Sequence, residues 1–128
     1  YKNITVVTNS ISALLTLGKM HIFCILIGGE YYEQDMCTVG SLAERYVNEL
    51  NVDVAFFTTA AISHDGIISD FDLRQTRIRK IVMKHASKNI FLFEKEKFGK
   101  KHLYTLCTTE DADAVLTADD NQKAYRII

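Results

Sequence analysis

The chain has 128 residues, about the size of one domain, and 48% of them are hydrophobic while 24% are charged. These proportions are typical of a globular protein that folds around a hydrophobic core without needing disulfides. Fifteen basic and sixteen acidic side chains give a net charge of −1, which excludes the strongly basic surface that nucleic-acid binding normally needs. The absence of proline excludes proline-rich linkers.

Predicted strands alternate with predicted helices along residues 4–57. The strands are rich in β-branched and aromatic residues, whereas the helices carry apolar residues at a spacing of 3.6. In chain order these elements are the strand Ile4–Thr8, the helix Ile11–Gly18, the strand His21–Ile27, the helix Val39–Leu50 and the strand Val52–Phe57. The first strand looks buried on both faces. Residues 30–37 are predicted to be a loop, and Ser41 with Glu44 has the spacing of a capping box.

The alternation continues to the end of the chain. Asp72 with Gln75 is predicted to open a long helix after a turn. The predicted elements are the turn Ser63–Gly66, the helix from Asp72, the strands Asn89–Phe93, His102–Cys107 and Ala112–Thr117, and the start of a helix at Asn121–Ile128. Strands that alternate with helices favour an α/β fold, with a mostly parallel sheet covered by helices on both faces.

In open α/β sheets, ligands bind beyond the carboxyl ends of the strands, where helix N-termini present free N–H groups. This rule selects four places: Thr8-Asn9-Ser10, Gly28-Gly29, Thr58-Thr59 and the stretch after Phe93 that contains Lys97. The first place fits an anion or a sugar hydroxyl, or simply caps a helix. The glycine pair allows close backbone approach or merely forms a turn. Lys97 can pair with a phosphate or lie in a solvated loop.

Motifs for most enzyme classes are missing from the sequence. It contains no GxGxxG, no Walker loop and no GxSxG, and its four histidines lack metal-ligand spacing. Three cysteines without a CxxC pair predict neither a disulfide framework nor a zinc site, and they fit a reducing cytoplasmic compartment. We therefore predict no catalytic residue, no metal and no cofactor. No apolar run is long enough to span a membrane.

Basic residues are concentrated between Arg74 and Lys101, a stretch that contains ten basic residues and only two acidic ones. This stretch is either a solvated helix face followed by a surface loop, or it faces an anionic small molecule in part.

Several stretches, in order and with compatible spacing, resemble the C-terminal sensor domain of the DeoR family of bacterial transcriptional repressors. They are ITVVTNS at 4–10, ILIGGEYY at 25–32, VGSLAE at 39–44, VDVAFF at 52–57, the segment 94–99 that ends in KFG, and DADAVLTADD at 111–120. The resemblance implies a Rossmann-like fold similar to ribose-5-phosphate isomerase. It also implies a cytoplasmic, homo-oligomeric repressor that senses a phosphorylated sugar or sugar-derived metabolite and contacts DNA through an N-terminal winged helix-turn-helix.

The resemblance also assigns candidate ligand-binding residues. Thr8, Asn9 and Ser10 match the TNS turn of the family, and Gly28 with Gly29 matches its glycine pair. The remaining matches are Gly40, in the VG dipeptide, and Lys97, the lysine of a segment that commonly reads SKFG. To these we add Thr58 and Thr59, which lie in the loop after the third strand.

The sequence departs from the family pattern in three places. Ala60 stands where the family commonly has aspartate, Thr58 and Ala61 replace glycines, and Glu94-Lys95-Glu96 replaces an aspartate and serines. Family members also carry a strand and a DSGTT turn before the ITVVTNS strand. Because this chain starts at Tyr1, we expect residues 1–128 to be an incomplete sensing domain that lacks its first βα unit.

Two alternatives remain open. One is a sugar-phosphate isomerase, which needs a general base near the third-strand loop, where Ala60 and Ala61 offer none. The other is a domain that has lost sensing and only mediates subunit contacts.

Overall fold

A computed structural model of the protein describes residues 3–118 and 124–126. The chain divides into two compact units, Tyr1–Glu49 and Leu50–Ile128, which are described separately below. No helix in the described ranges is long and apolar enough to cross a membrane.

The first unit combines a parallel strand pair with a short hairpin. Its elements are β1 (Thr5–Thr8), α1 (Ile11–Lys19), β2 (Phe23–Leu26), β3 (Glu30–Tyr32), β4 (Cys37–Val39) and α2 (Ser41–Val47). β1 and β2 are parallel, with Thr8 opposite Leu26, and α1 forms the crossover between them. β3 and β4 are antiparallel. The carboxyl ends of β1 and β2 therefore lie at the same edge.

Four predictions for this unit are wrong. The predicted loop 30–37 contains β3 and part of β4, strands of three residues that are too short to show an alternating pattern. The second helix begins at Ser41, not at Val39. The expected capping box is missing, because the N-cap residue is Gly40 and no side chain caps the helix. β1 is not buried on both faces: none of its four residues is fully buried, and the preceding Ile4 is 50% exposed.

The second unit is built on a parallel sheet. Its elements are β5 (Val52–Thr58), β6 (Ala61–Ile62), β7 (Ile67–Asp70), α3 (Leu73–His85), β8 (Ala86–Phe93), β9 (Tyr104–Thr108), β10 (Ala114–Ala118) and β11 (Ala124–Arg126). β5, β8 and β10 are parallel neighbours, and β6, β7 and β9 form an antiparallel sheet. Asp72 caps α3 as predicted, because its carboxylate accepts a hydrogen bond from the Gln75 N–H (3.0 Å). The α/β fold class, with Rossmann-like parallel pairing, is confirmed.

The predicted helix at Asn121–Ile128 is wrong for residues 124–126, the part of it that the structure describes. Residues 124–126 form β11, which pairs antiparallel with β10. The apolar pattern of so short a stretch does not separate a helix from a strand, and pairing with β10 satisfies its backbone groups. The other residues of that predicted helix lie outside the described residues.

Stacked aromatic rings fill the core of the second unit. The Phe91 ring lies 4.9 Å from Phe57 and 6.3 Å from Phe93 between centroids, and all three side chains are buried. They share one face of the sheet, because residues two apart in a strand point to the same side. On the opposite face Phe56 is 65% exposed. The core is therefore on one side of this sheet.

Candidate functional site

The turn after β1 is held by its own polar side chains. Ser10 is the N-cap of α1: its Oγ accepts a hydrogen bond from the Ala13 N–H (3.2 Å), and its N–H donates to Thr8 Oγ1 (3.0 Å). The Asn9 side-chain amide donates to the Thr38 carbonyl (2.8 Å). The helix-capping interpretation of this turn is thus correct for Ser10, and all three residues lie at the N-terminus of a nine-residue helix.

The predicted glycines lie beside this turn. Gly28 and Gly29 follow β2, and Thr38 Oγ1 donates to the carbonyl of the preceding Ile27 (2.6 Å), which connects this loop to the same Thr38 that binds Asn9. Gly40 follows β4 and has φ of +96°, a conformation that favours glycine. The structure therefore brings together the six residues predicted in the first unit.

Two of these glycines shape the backbone rather than present a group. A methyl group on Gly29 would lie 2.6 Å from the Val39 carbonyl oxygen and 3.0 Å from the Ala43 methyl group. At Gly40 it would meet the carboxylate of Glu30. Because that carboxylate is negative, Gly40 is a poor direct contact for an anion.

Alanine substitutions at two glycines should have opposite effects. We expect Gly29→Ala to lower the free energy of unfolding by more than about 1 kcal/mol, because the methyl group collides with rigid backbone at φ of +154°. In the matched control Gly18→Ala, the methyl group meets nothing within 4 Å, so helix propensity should raise stability by about 0.5–1 kcal/mol. Urea denaturation measures both, and equal effects would contradict this account of Gly29.

In the second unit, Thr58, Thr59 and Lys97 lie at the carboxyl ends of neighbouring strands. Thr58 ends β5 and is opposite Leu92, and Lys97 ends a 3-10 turn that follows β8. Thr59 is buried, and its Oγ1 has no hydrogen-bond partner within the described residues. Lys97 is half-buried and forms no ion pair with any residue of the described part of the chain.

The loops after β5 and β8 contact each other. The Gly99 N–H donates to the Ile62 carbonyl (2.8 Å), and Ile62 forms a parallel bridge with Phe98. Phe98 also packs against Phe93, with ring centroids 6.3 Å apart. The structure thus joins the loop that carries Thr59 to the loop that carries Lys97.

The loop after β5, which the sequence predicts as the third strand, offers no general base. Ala60, which stands where the family commonly has an aspartate, and its neighbour Ala61 are both buried. Residues 58–62 include no ionisable side chain. This loop therefore lacks the group that proton abstraction from a sugar phosphate needs.

Thr117 belongs to the same edge but was not predicted as a site residue. It lies near the end of β10, opposite Phe93, and its Oγ1 is buried without a partner inside the described ranges. The rule that selected Thr58 and Thr59 could have found it, because Thr117 also stands at the carboxyl end of a parallel strand.

A shallow groove of about 410 Å³ lies elsewhere on the second unit, and Lys80, Met83, Lys84, Asn89, Leu106, Cys107 and Asp111 line it. Burial, together with the nearby Asp111 carboxylate, raises the pKa of the Cys107 thiol to about 12, so this thiol stays protonated at neutral pH. Within the described residues no group of three metal-ligating side chains comes together.

The family model described as the DeoR C-terminal sensor domain matches residues 1–119. Curated relatives include the glycerol-3-phosphate regulon repressor of Escherichia coli K12, 24% identical over 91% of this chain and 47% of the relative. The lactose phosphotransferase system repressor of Staphylococcus epidermidis RP62A is 25% identical over 93% of this chain and 48% of its own length. The HTH-type transcriptional regulator IolR of Bacillus subtilis 168 is 25% identical over 97% and 51%.

The chain spans about half the length of these relatives, which are named as repressors and transcriptional regulators. The family match extends over the parallel strands and over both groups of candidate residues. The chain belongs to the family of DeoR C-terminal sensor domains.

Proposed function

We propose that this chain is the effector-sensing part of a cytoplasmic transcriptional repressor of sugar-related metabolism. Its ligand is a phosphorylated sugar or sugar-derived metabolite, which binds at the carboxyl ends of the parallel strands. Ligand binding shifts a conformational equilibrium and so changes DNA binding by a helix-turn-helix elsewhere in the full-length protein. The names of relatives that regulate glycerol-3-phosphate and lactose phosphotransferase genes support this ligand class.

The observation that carries the proposal is the pair of joined loops after β5 and β8. One loop holds a buried Thr59 hydroxyl without a partner, and the other holds Lys97, an ammonium group without a carboxylate partner in the described part of the protein. A phosphate binds an ammonium group through charge-assisted hydrogen bonds, and a sugar offers hydroxyls for neutral ones. The two side chains therefore match the two parts of a sugar phosphate.

Within the first unit, the turn Thr8-Asn9-Ser10 is proposed as a ligand-binding group in its own right. It lies at the N-terminus of α1, where backbone N–H groups and the helix dipole favour an anion. Gly28, Gly29 and Gly40 are assigned the role of shaping the backbone beside this turn.

We extend the proposal to the architecture of the full-length repressor. Within the described residues β5 pairs with β8 on one side alone, so its other edge is able to accept the additional strand that the family resemblance implies. Homo-oligomerisation is proposed from the same resemblance. A domain that makes subunit contacts without sensing would leave the buried Thr59 hydroxyl without a partner among the described residues.

Lys97→Gln tests the proposed phosphate contact. The panel contains glycerol 3-phosphate, ribose 5-phosphate and fructose 6-phosphate, and calorimetric titration measures the dissociation constant of each. We expect the compound that binds the unmodified protein best to bind Lys97→Gln at least about tenfold more weakly, because a charge-assisted hydrogen bond is lost.

Lys88→Gln is the matched control for Lys97→Gln. Lys88 is exposed near the amino end of the same strand, opposite Val54, and should leave the dissociation constant unchanged. Equal affinities for the unmodified protein and both variants would remove Lys97 from the site. A panel in which no compound binds the unmodified protein would contradict the proposed ligand class.

A further inference from the structure

Two threonine hydroxyls are placed on either side of Phe93 at the carboxyl edge of the parallel sheet. Thr117 is the partner of Phe93 in β10, and Thr59 follows Thr58, whose partner is the residue before Phe93. Phe57 and Val115, two residues before Thr59 and Thr117 respectively, are buried on the core side. By the two-residue alternation of strands, Phe93 and Thr117 lie side by side on that face. We refer to this pair, together with Thr59, the first residue after β5, as the row.

Both threonine oxygens in this row are unusual in the same way. Each Oγ1 is closed to solvent and has no hydrogen-bond partner among the described residues, and Thr59 as a whole is 6% exposed. A buried hydroxyl without a partner is unfavourable, so native proteins rarely keep one without a reason. A structural role alone does not explain two such groups at one edge of the sheet, since valine has the same shape as threonine and avoids this cost.

We propose that Thr59 and Thr117 bind the hydroxyl groups of the polyol or sugar part of the effector, while Lys97 binds its phosphate. This inference rests on the proposed function and adds Thr117 as a specificity-determining residue. A threonine hydroxyl donates one hydrogen bond and accepts others, so it pairs with a sugar hydroxyl in either direction. It adds no charge, which suits the uncharged part of a sugar phosphate.

For the ligand to reach this row, the loop 94–99 must move locally. That loop carries Lys97, and its Phe98 packs against Phe93 in the middle of the row. The contact of the loop with Ile62 is a single backbone hydrogen bond of 2.8 Å and one bridge. The same short segment therefore carries the proposed phosphate contact, Lys97, and covers the row through Phe98.

Valine substitutions at Thr59 and Thr117 test the contacts with the sugar part of the ligand separately from the contact with its phosphate. Calorimetric titration of Thr59→Val and Thr117→Val should show about three- to tenfold weaker binding of the best phosphorylated sugar in the panel, because a neutral hydrogen bond is lost. Binding of inorganic phosphate should stay unchanged. Thr117→Ser keeps the hydroxyl and should restore the affinity, and Thr105→Val, on an exposed position of β9, is the matched control.

The unliganded variants give an independent check. Their melting temperatures should equal or exceed that of the unmodified protein, because valine removes an unpaired hydroxyl. A clear fall in melting temperature would show that the hydroxyls have partners within the protein and would overturn the inference. So would an unchanged affinity of both valine variants for a sugar phosphate that the unmodified protein binds, although the proposed function would then stand. If the unmodified protein binds no compound of the panel, the proposed function and this inference both fail.

Discussion

Phe91→Ala should lower the free energy of unfolding of the second unit by about 3–5 kcal/mol, the usual cost of truncating a fully buried phenylalanine. Phe91 is 0% exposed and stacks against Phe57 and Phe93, so its removal leaves a cavity that the neighbouring strands cannot fill. Because a domain is typically stable by about 5–15 kcal/mol, this loss is a large fraction of the total. Urea denaturation followed by circular dichroism measures it.

Phe56→Ala is the matched control for this experiment. Phe56 lies in β5 on the opposite face of the same sheet and is 65% exposed, so the same truncation should cost less than about 1 kcal/mol. The comparison tests the one-sided core directly. Similar losses for the two variants would mean that the face carrying Phe56 is buried in solution.

Asp70→Asn should be the second most damaging of the proposed substitutions. Asp70 accepts hydrogen bonds from the Arg79 guanidinium and from the Phe71 N–H (2.8 Å), and its side chain is 7% exposed. Neutralising it leaves the Arg79 charge largely buried without a carboxylate. We expect a loss of about 3 kcal/mol, the low end for a broken buried pair, because Arg79 remains 20% exposed.

The exposed ion pair between Lys101 and Asp65 provides the contrast. Its atoms are 3.7 Å apart, and the two side chains are 52% and 64% exposed. Solvent and salt screen such a pair, so Lys101→Ala should not change the urea midpoint measurably. If Asp70→Asn also leaves the midpoint unchanged, the buried pair does not hold β7 to α3 in solution.

The sequence patterns were informative where an element is long or ends in a distinctive residue. The long strands Val52–Thr58 and Ala86–Phe93 have apolar runs, and Ser10 and Asp72 each stand before a helix that they cap. The three-residue strands of the β3–β4 hairpin were missed because three residues cannot display a period of two. The same limit explains the wrong helix at the end of the chain.

The candidate site was predictable in outline from one geometric rule. That rule placed Thr58, Thr59 and Lys97 at the carboxyl ends of strands, and the structure has β5 and β8 side by side. The same rule applies to Thr117 at the end of β10, but only the packing around its hydroxyl shows that this oxygen has no hydrogen-bond partner among the described residues. The contact of Gly99 with Ile62 is likewise a tertiary hydrogen bond with no local signal in the sequence.

The central claim is that an effector phosphate binds where β5 and β8 end. Amide chemical-shift mapping by NMR, during titration with the phosphorylated compounds of the panel, tests this claim most directly. We predict saturable shifts at Thr58, Thr59, Lys97 and Gly99, and smaller ones in the turn that contains Ser10. Shifts confined to the groove beside Lys80 and Lys84, or no saturable shift with any compound, would contradict the account.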